Sequence, residues 1–415
     1  MKTLKSYRRL SAALTALALL AGLVFAPGLA PAGAQSRRLP PNDPQKKNQR
    51  PEDRPNQPQT QPTPPEPLPQ DIVKEEAEAV KVETALVNVE TVVYHKKTGK
   101  VITGLTKANF ALFEDGVQRE ITNFSTPEAP ITVAVVLEYT KLAQRIGYYG
   151  SGGHDYTGMS EIITPTAMFL SQLVRPPNDY ATVIAYDMRP TPLTDFTNDP
   201  GRLNSVISLL LRNRPVSSEA NLFDALKLAL VGGKADSVVL ENSEQRTADY
   251  AGISSVQNRR RAVFLVTTGI DTFSKINYGE MRKIAQNAGV PIYIIGTGNL
   301  FMKKYGDDLS PTDGLLGATT PGRMTFLQAQ NTLKTFAKET GGEYFPMTFV
   351  TEMPSYLQTI NALMRSQYSL GYRPSDLRDG KQHKILVKVD VDGDGQYDDK
   401  EYVVRSRQFY NAPKG

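Results

Sequence analysis

The sequence predicts an α/β protein: a doubly wound, mostly parallel sheet flanked by a small β-sandwich that its N- and C-terminal segments build together. Three observations predict it. Runs such as Ile-Thr-Val-Ala-Val-Val-Leu at 131–137 are apolar without alternation, the pattern of a parallel strand covered on both faces. Helical periods alternate with such runs through residues 129–365. The segments 81–128 and 366–415 carry short β-rich runs, each too thin to hold a core alone, so they are expected to pack on one another.

Taken in order, residues 1–34 read as a secretory signal peptide. Lys2, Lys5, Arg8 and Arg9 precede an apolar run at 10–25, and Ala32-Gly33-Ala34 supplies the small residues of a cleavage site. Pro27 and Pro31 oppose a helix continuing through that junction. No later stretch approaches the ~20 apolar residues of a membrane-spanning helix. The expected product is secreted or periplasmic, with no membrane span once the leader is removed. Residues 35–80 form a spacer: 11 of the 31 residues from 40 to 70 are proline, a composition that cannot bury enough apolar surface to order itself.

In 81–128, Val87, Val89 and Val92-Val93-Tyr94 are strand-forming, with turns at Lys97-Thr98-Gly99-Lys100 and Glu114-Asp115-Gly116. Parallel strands are expected at 131–137, 182–186, 262–266 and 291–295. Helices are expected at 165–174, 203–211, 221–231, 278–288, 325–339 and 354–364. Three polar or Gly-rich stretches, 147–160, 232–258 and 299–323, read as surface loops. The first carries Tyr148, Tyr149 and Tyr156 among glycines, the composition of either a recognition loop or a disordered insertion. Closing strands are expected at 367–372, 384–391 and 402–406.

The chain of 415 residues has no cysteine, which excludes disulfides, thiol chemistry and lipid attachment at a cleavage-site cysteine. Ten of the 48 basic residues and four of the 43 acidic ones precede Asp71, leaving 38 basic and 39 acidic. That balance gives no reason to expect a nucleic-acid partner. His95, His154 and His383 are scattered over a turn, a Gly-rich loop and a strand start, where surface residues are the ordinary reading. Neither a Gly-x-Ser-x-Gly elbow nor a phosphate loop nor a zinc-spaced His pair occurs. The expectation is a non-enzymatic module binding a protein or cell-surface ligand. The alternatives are an envelope-processing hydrolase and a calcium-stabilised structural component.

One metal signal stands out. Asp390, Asp392, Asp394, Gln396, Asp398 and Glu401 fall at the ligand positions of a twelve-residue calcium loop, with Gly395 at the sharp turn. Strands flank it, so the expectation is Ca²⁺ in a β-hairpin; the competing reading is a solvated acidic turn.

The order of motifs resembles a family. Thr103-Gly104-Leu105-Thr106, Asn109-Phe110, Glu114-Asp115-Gly116, Leu222-Phe223-Asp224-Ala225-Leu226 and Tyr368-Ser369-Leu370-Gly371-Tyr372 resemble the exported von Willebrand factor A-related proteins known chiefly from acidobacteria. The resemblance implies a von Willebrand A, Rossmann-like domain whose Mg²⁺ adhesion site takes an Asp-x-Ser-x-Ser run, a Thr and a further Asp. Here those positions hold Glu138, Thr140, Leu142, Ala220 and Thr268. Leu142 and Ala220 offer no side-chain oxygen, so the adhesion site is expected to be degenerate and to hold no Mg²⁺. Asp187 and Asp271 are the nearby acids that would rescue a nonstandard site; the plainer reading of each is a loop or cap carboxylate.

Overall fold

The computed structural model describes residues 86–146, 158–235, 248–257, 259–313, 321–375 and 379–412. The expected signal peptide and spacer, and the aromatic loop with His154, lie outside the described residues. The strands are β1 (Val87–His95), β2 (Phe110–Glu114), β3 (Val117–Arg119), β4 (Ile121–Ser125), β5 (Ile131–Glu138), β6 (Tyr180–Tyr186), β7 (Pro190–Pro192), β8 (Gly232–Ala235), β9 (Ala248–Ala251), β10 (Arg260–Thr267), β11 (Ile292–Gly296), β12 (Tyr344–Pro346), β13 (Tyr368–Tyr372), β14 (Gln382–Val389), β15 (Tyr402–Ser406) and β16 (Phe409–Asn411). The α-helices are α1 (Lys141–Gln144), α2 (Gly158–Leu173), α3 (Pro200–Arg212), α4 (Leu222–Val231), α5 (Tyr278–Ala288), α6 (Gly298–Tyr305), α7 (Arg323–Thr340) and α8 (Met353–Arg365).

A six-stranded sheet runs in the order β12-β11-β10-β5-β6-β7, parallel except for β7. Apolar residues alternate across it because successive side chains of a strand point to opposite faces. Ile131, Val133, Val135 and Leu137 of β5 meet apolar residues of α2, α3 and α8. Ala134 and Val136 meet those of α4, α5 and α7 on the other face. Both faces are thus covered, as the unalternating sequence of β5 requires.

Some local expectations shift. Pro165 was expected in a first turn, yet α2 begins at Gly158 and carries Pro165 in its interior. Burial of Met159, Ile162 and Ile163 in the core is what the longer helix gains. Residues 232–258, expected as a loop, contain the β8–β9 ladder. A Cβ on Gly232 would lie 2.3 Å from the carbonyl oxygen of Tyr250, so that ladder closes only on glycine. Residues 299–323, also expected as a loop, include most of α6, which buries Leu300 and Phe301.

Two four-stranded sheets, β15-β1-β13-β4 and β16-β14-β2-β3, each combine strands from before and after the parallel sheet. β1 pairs with β13 through Val89 opposite Leu370 and with β15 through Val93 opposite Val404. Val89, Val93, Leu112, Tyr368, Leu370 and Val387 share one buried cluster between the two sheets. Asp115 (φ 51°) and Gly116 (φ 84°) make the tight turn from β2 to β3, left-handed at both central residues as a two-residue hairpin demands. Buried Arg260 of β10 ties the parts together, donating to the carbonyls of Ala129 and Met364 at 2.8 Å each.

Candidate functional site

The carboxyl ends of parallel strands are where open α/β sheets bind ligands. Glu138 ends β5 there and is buried. Its Oε1 accepts from the hydroxyls of Thr140 (2.8 Å) and Thr268 (3.1 Å). Its Oε2 accepts from the Thr267 hydroxyl (2.9 Å), the Thr268 hydroxyl (2.9 Å) and the Thr268 backbone N–H (2.7 Å). The Tyr186 hydroxyl lies 2.7 Å from that of Thr267 and extends the network. Burial raises the pKa of Glu138 above the ordinary carboxylate range, and the Thr268 N–H and the threonine hydroxyls oppose the rise. With one methylene more than Asp, the side chain reaches across to β10 and spends its lone pairs on protein donors.

The other residues expected at an adhesion site make contacts within the protein. Thr140 caps α1, accepting from the Ala143 N–H at 3.1 Å. Leu142 is buried in the core beneath. Ala220 donates its N–H to the Thr272 hydroxyl (2.9 Å) and accepts at its carbonyl from the N–H groups of Thr272 (2.9 Å) and Phe273 (3.1 Å). Asp271 caps α4: its Oδ1 accepts from the N–H groups of Leu222 (2.9 Å) and Phe223 (3.2 Å) and from the Ser274 hydroxyl (2.5 Å). Asp187 accepts from the Arg189 N–H at 3.2 Å, a loop contact.

Beside this closed cluster lies a cleft of about 610 Å³ lined by Met188, Asn221, Asp224, Lys227, Phe273 and Lys275, among others. Asn221 is buried and donates from Nδ2 to the Met188 carbonyl (3.2 Å). Phe273 (53% exposed) and Met188 (40%) stand out into solvent.

At the acidic loop, Asp390, Asp392 and Asp398 bring one carboxylate oxygen each within 4.8 Å of the others. Asp394 and Glu401 do not belong to that group. Asp390 organises the turn, accepting at Oδ1 from the Gly393 N–H (2.7 Å) and at Oδ2 from the Gly395 N–H (2.8 Å). Gly393 (φ 77°) and Gly395 (φ 89°) adopt the left-handed conformation this requires. Asp394 accepts from the Gln396 N–H at 2.7 Å, and Asp398 from the Val391 N–H at 2.7 Å.

His383, expected at the surface, is buried at 7% exposure. Its Nδ1 lies 2.8 Å from Asp115 and its Nε2 3.2 Å from Asp379. Asp115 and Asp379 hold the imidazolium, so its pKa is raised against the opposing effect of burial; the Asp115 hydrogen bond is the largest cause. Its spacing from Asp379, four residues, was the one available sequence signal. His95 stays at its turn, 3.2 Å from the Thr98 N–H.

No family model and no curated protein matches the sequence. Solved structures are similar in fold. Proximal thread matrix protein 1 from the mussel byssus is 10% identical, with 60% of this chain and 49% of that chain covered and a TM-score of 0.38. The PilB minor pilin from Streptococcus sanguinis is 11% identical, with 58% and 62% covered and a TM-score of 0.39. BatB, a conserved hypothetical protein from Bacteroides thetaiotaomicron, is 14% identical, with 57% and 100% covered and a TM-score of 0.32. The matched region spans about half the length of the mussel protein.

Proposed function

We propose that this chain is an exported binding module of the adhesion type: a von Willebrand A-like domain set on a β-sandwich, engaging a protein or cell-surface ligand without catalysis. The observation that carries the reading is the strand-end face itself. Glu138 accepts hydrogen bonds from Thr140, Thr267 and Thr268, an engagement that supports reading this face as one without a catalytic base or a metal seat. Recognition falls to the rim, where Phe273 and Met188 expose apolar surface beside a cleft, the kind of anchor that dominates protein interfaces. The leader-like N-terminus supports export, after which the module would act outside the cytoplasm.

The acidic loop adds a stabilising cation to this reading. Ca²⁺ takes six to eight oxygens at about 2.3–2.6 Å, so ligands on one ion lie within about 5 Å of each other. The 4.8 Å grouping of Asp390, Asp392 and Asp398 fits that shell. These three would hold the ion, which would neutralise their mutual repulsion and tie β14 to β15.

The test is binding of the mature protein to isolated cell-envelope fragments, with and without chelator. Wild type is expected to bind in both, and Phe273→Ser with Met188→Ser to lose at least about tenfold in affinity. Equal binding by the double variant refutes the rim as the contact face.

A further inference from the structure

A second cleft, of about 730 Å³, shares no lining residue with the first and is lined by residues of α7, β12 and β15. β12 ends the six-stranded sheet and β15 ends one of the antiparallel sheets, so each has a side on which no described strand pairs. An open strand edge is a template for another chain unless something covers it. Across the cleft, α7 presents Gln330, Lys334 and Lys338, one side chain per turn. The Gln330 Nε2 is buried without a hydrogen-bond partner. Arg405 is already neutralised by Glu343 at 2.5 Å. Lys334 and Lys338 are exposed and, among the described residues, enter no ion pair. With Arg405 balanced by Glu343, Lys334 and Lys338 give the cleft a surplus of positive charge beside the edge strand β15.

We infer that this cleft takes an extended acidic segment of a partner protein, added as a strand along β15, with carboxylates at alternate positions meeting Lys334 and Lys338. The spacing supports the match. Residues four apart on a helix are separated by about 6 Å along the axis. Alternate side chains of a strand are about 6.7 Å apart and share one face. An acid-x-acid pattern thus sets two carboxylates over two lysines, whereas adjacent acids would send one of them to the opposite face. Backbone pairing supplies affinity, and the lysine pair supplies the choice of sequence. The inference rests on the reading of the chain as a binding module and names the chemistry of one partner.

The experiment is fluorescence anisotropy of the mature protein with a short peptide alternating Glu and Thr. Its comparators are the same composition with the glutamates contiguous, a backbone N-methylated form, and heparin as an anionic polysaccharide. Wild type is expected to bind the alternating peptide at least tenfold tighter than either peptide comparator. Lys334→Glu with Lys338→Glu should abolish that binding, and Lys334→Ala with Lys338→Ala should weaken it, both with unchanged melting curves. Lys227→Glu with Lys275→Glu, an equal charge change at the other cleft, should leave it intact. Equal binding of the N-methylated peptide, tighter binding of heparin, or equal loss in the control pair overturns the inference. If wild type holds envelope fragments but no peptide, the cleft assignment falls and the module reading stands. If it holds neither, both fall.

Discussion

Thr268 gives the Glu138 carboxylate both its backbone N–H, at 2.7 Å, and its hydroxyl, at 2.9 Å to the same oxygen. The pair joins the ends of β5 and β10 across the face where the sheet would bind a ligand. Glu138→Ala would strand that N–H and the hydroxyls around it in a buried site. The expected loss is about 3 kcal/mol, the cost of leaving buried donors unpaired. Glu138→Gln keeps one acceptor oxygen and should cost less. Chemical denaturation measures both, and a loss under ~1 kcal/mol for the alanine variant would show that the network contributes little.

The same network predicts no tight Mg²⁺ or Mn²⁺ binding at this face. Leu142 and Ala220 give no side-chain oxygen, and Glu138 is already engaged. Calorimetric titration of Asp390→Asn with Asp392→Asn, which removes the competing acidic loop, should show no stoichiometric heat at micromolar metal. A saturable one-to-one isotherm there contradicts the prediction.

Calcium should raise the melting temperature of wild type. A ligand held only by the folded state adds about 2.7 kcal/mol at a hundredfold excess over its dissociation constant. Asp392→Asn should remove the response and disturb the turn less, since its Oδ1 accepts the Asp394 N–H at 3.2 Å, a longer bond than those Asp390 receives from Gly393 and Gly395. Asp390→Asn should remove the response and also loosen the turn, because Asp390 receives the N–H groups of Gly393 and Gly395. An unchanged calcium response in both variants would identify the loop as a solvated acidic turn.

His383 should make the antiparallel sheets pH-sensitive. Its pKa is raised in the fold, chiefly by the hydrogen bond to Asp115, so its contribution is fully present below the free imidazole value of 6.5. It is lost as pH rises through the raised folded value. Wild-type stability should fall over that window, and His383→Gln should flatten the fall. Denaturation midpoints from pH 5 to 9 test this, and parallel profiles refute it.

Glu90 acts over a lower window. Burial pushes its carboxyl up to about 7, against the pull of Arg261, the Ser369 hydroxyl and Arg260. A raised carboxyl favours the protonated fold, so the contribution is complete below 4.5 and is lost as pH climbs through about 7. The whole effect is on the order of 3 kcal/mol. Glu90→Gln should therefore gain on wild type as pH rises from 4.5 to 8. A constant difference between the two proteins across that range would exclude Glu90 as the cause.

The sequence by itself determined the local elements of the parallel sheet. Unbroken apolar runs marked β5, β6, β10 and β11, and helical periodicity marked α5 at its observed bounds of Tyr278–Ala288. Those signals are legible because hydrophobic period and turn chemistry are properties of neighbouring residues. What only the tertiary structure decided is which distant residues meet. β1 is shared between β13 and β15, Glu138 ends on Thr267 and Thr268, and His383 is clasped by Asp115. Residues of β12, β15 and α7 come to line one cleft in the same way. Each of these depends on strand order and register, which a side chain's type and spacing leave open. A buried carboxylate or imidazole takes its chemistry from the groups that packing brings to it.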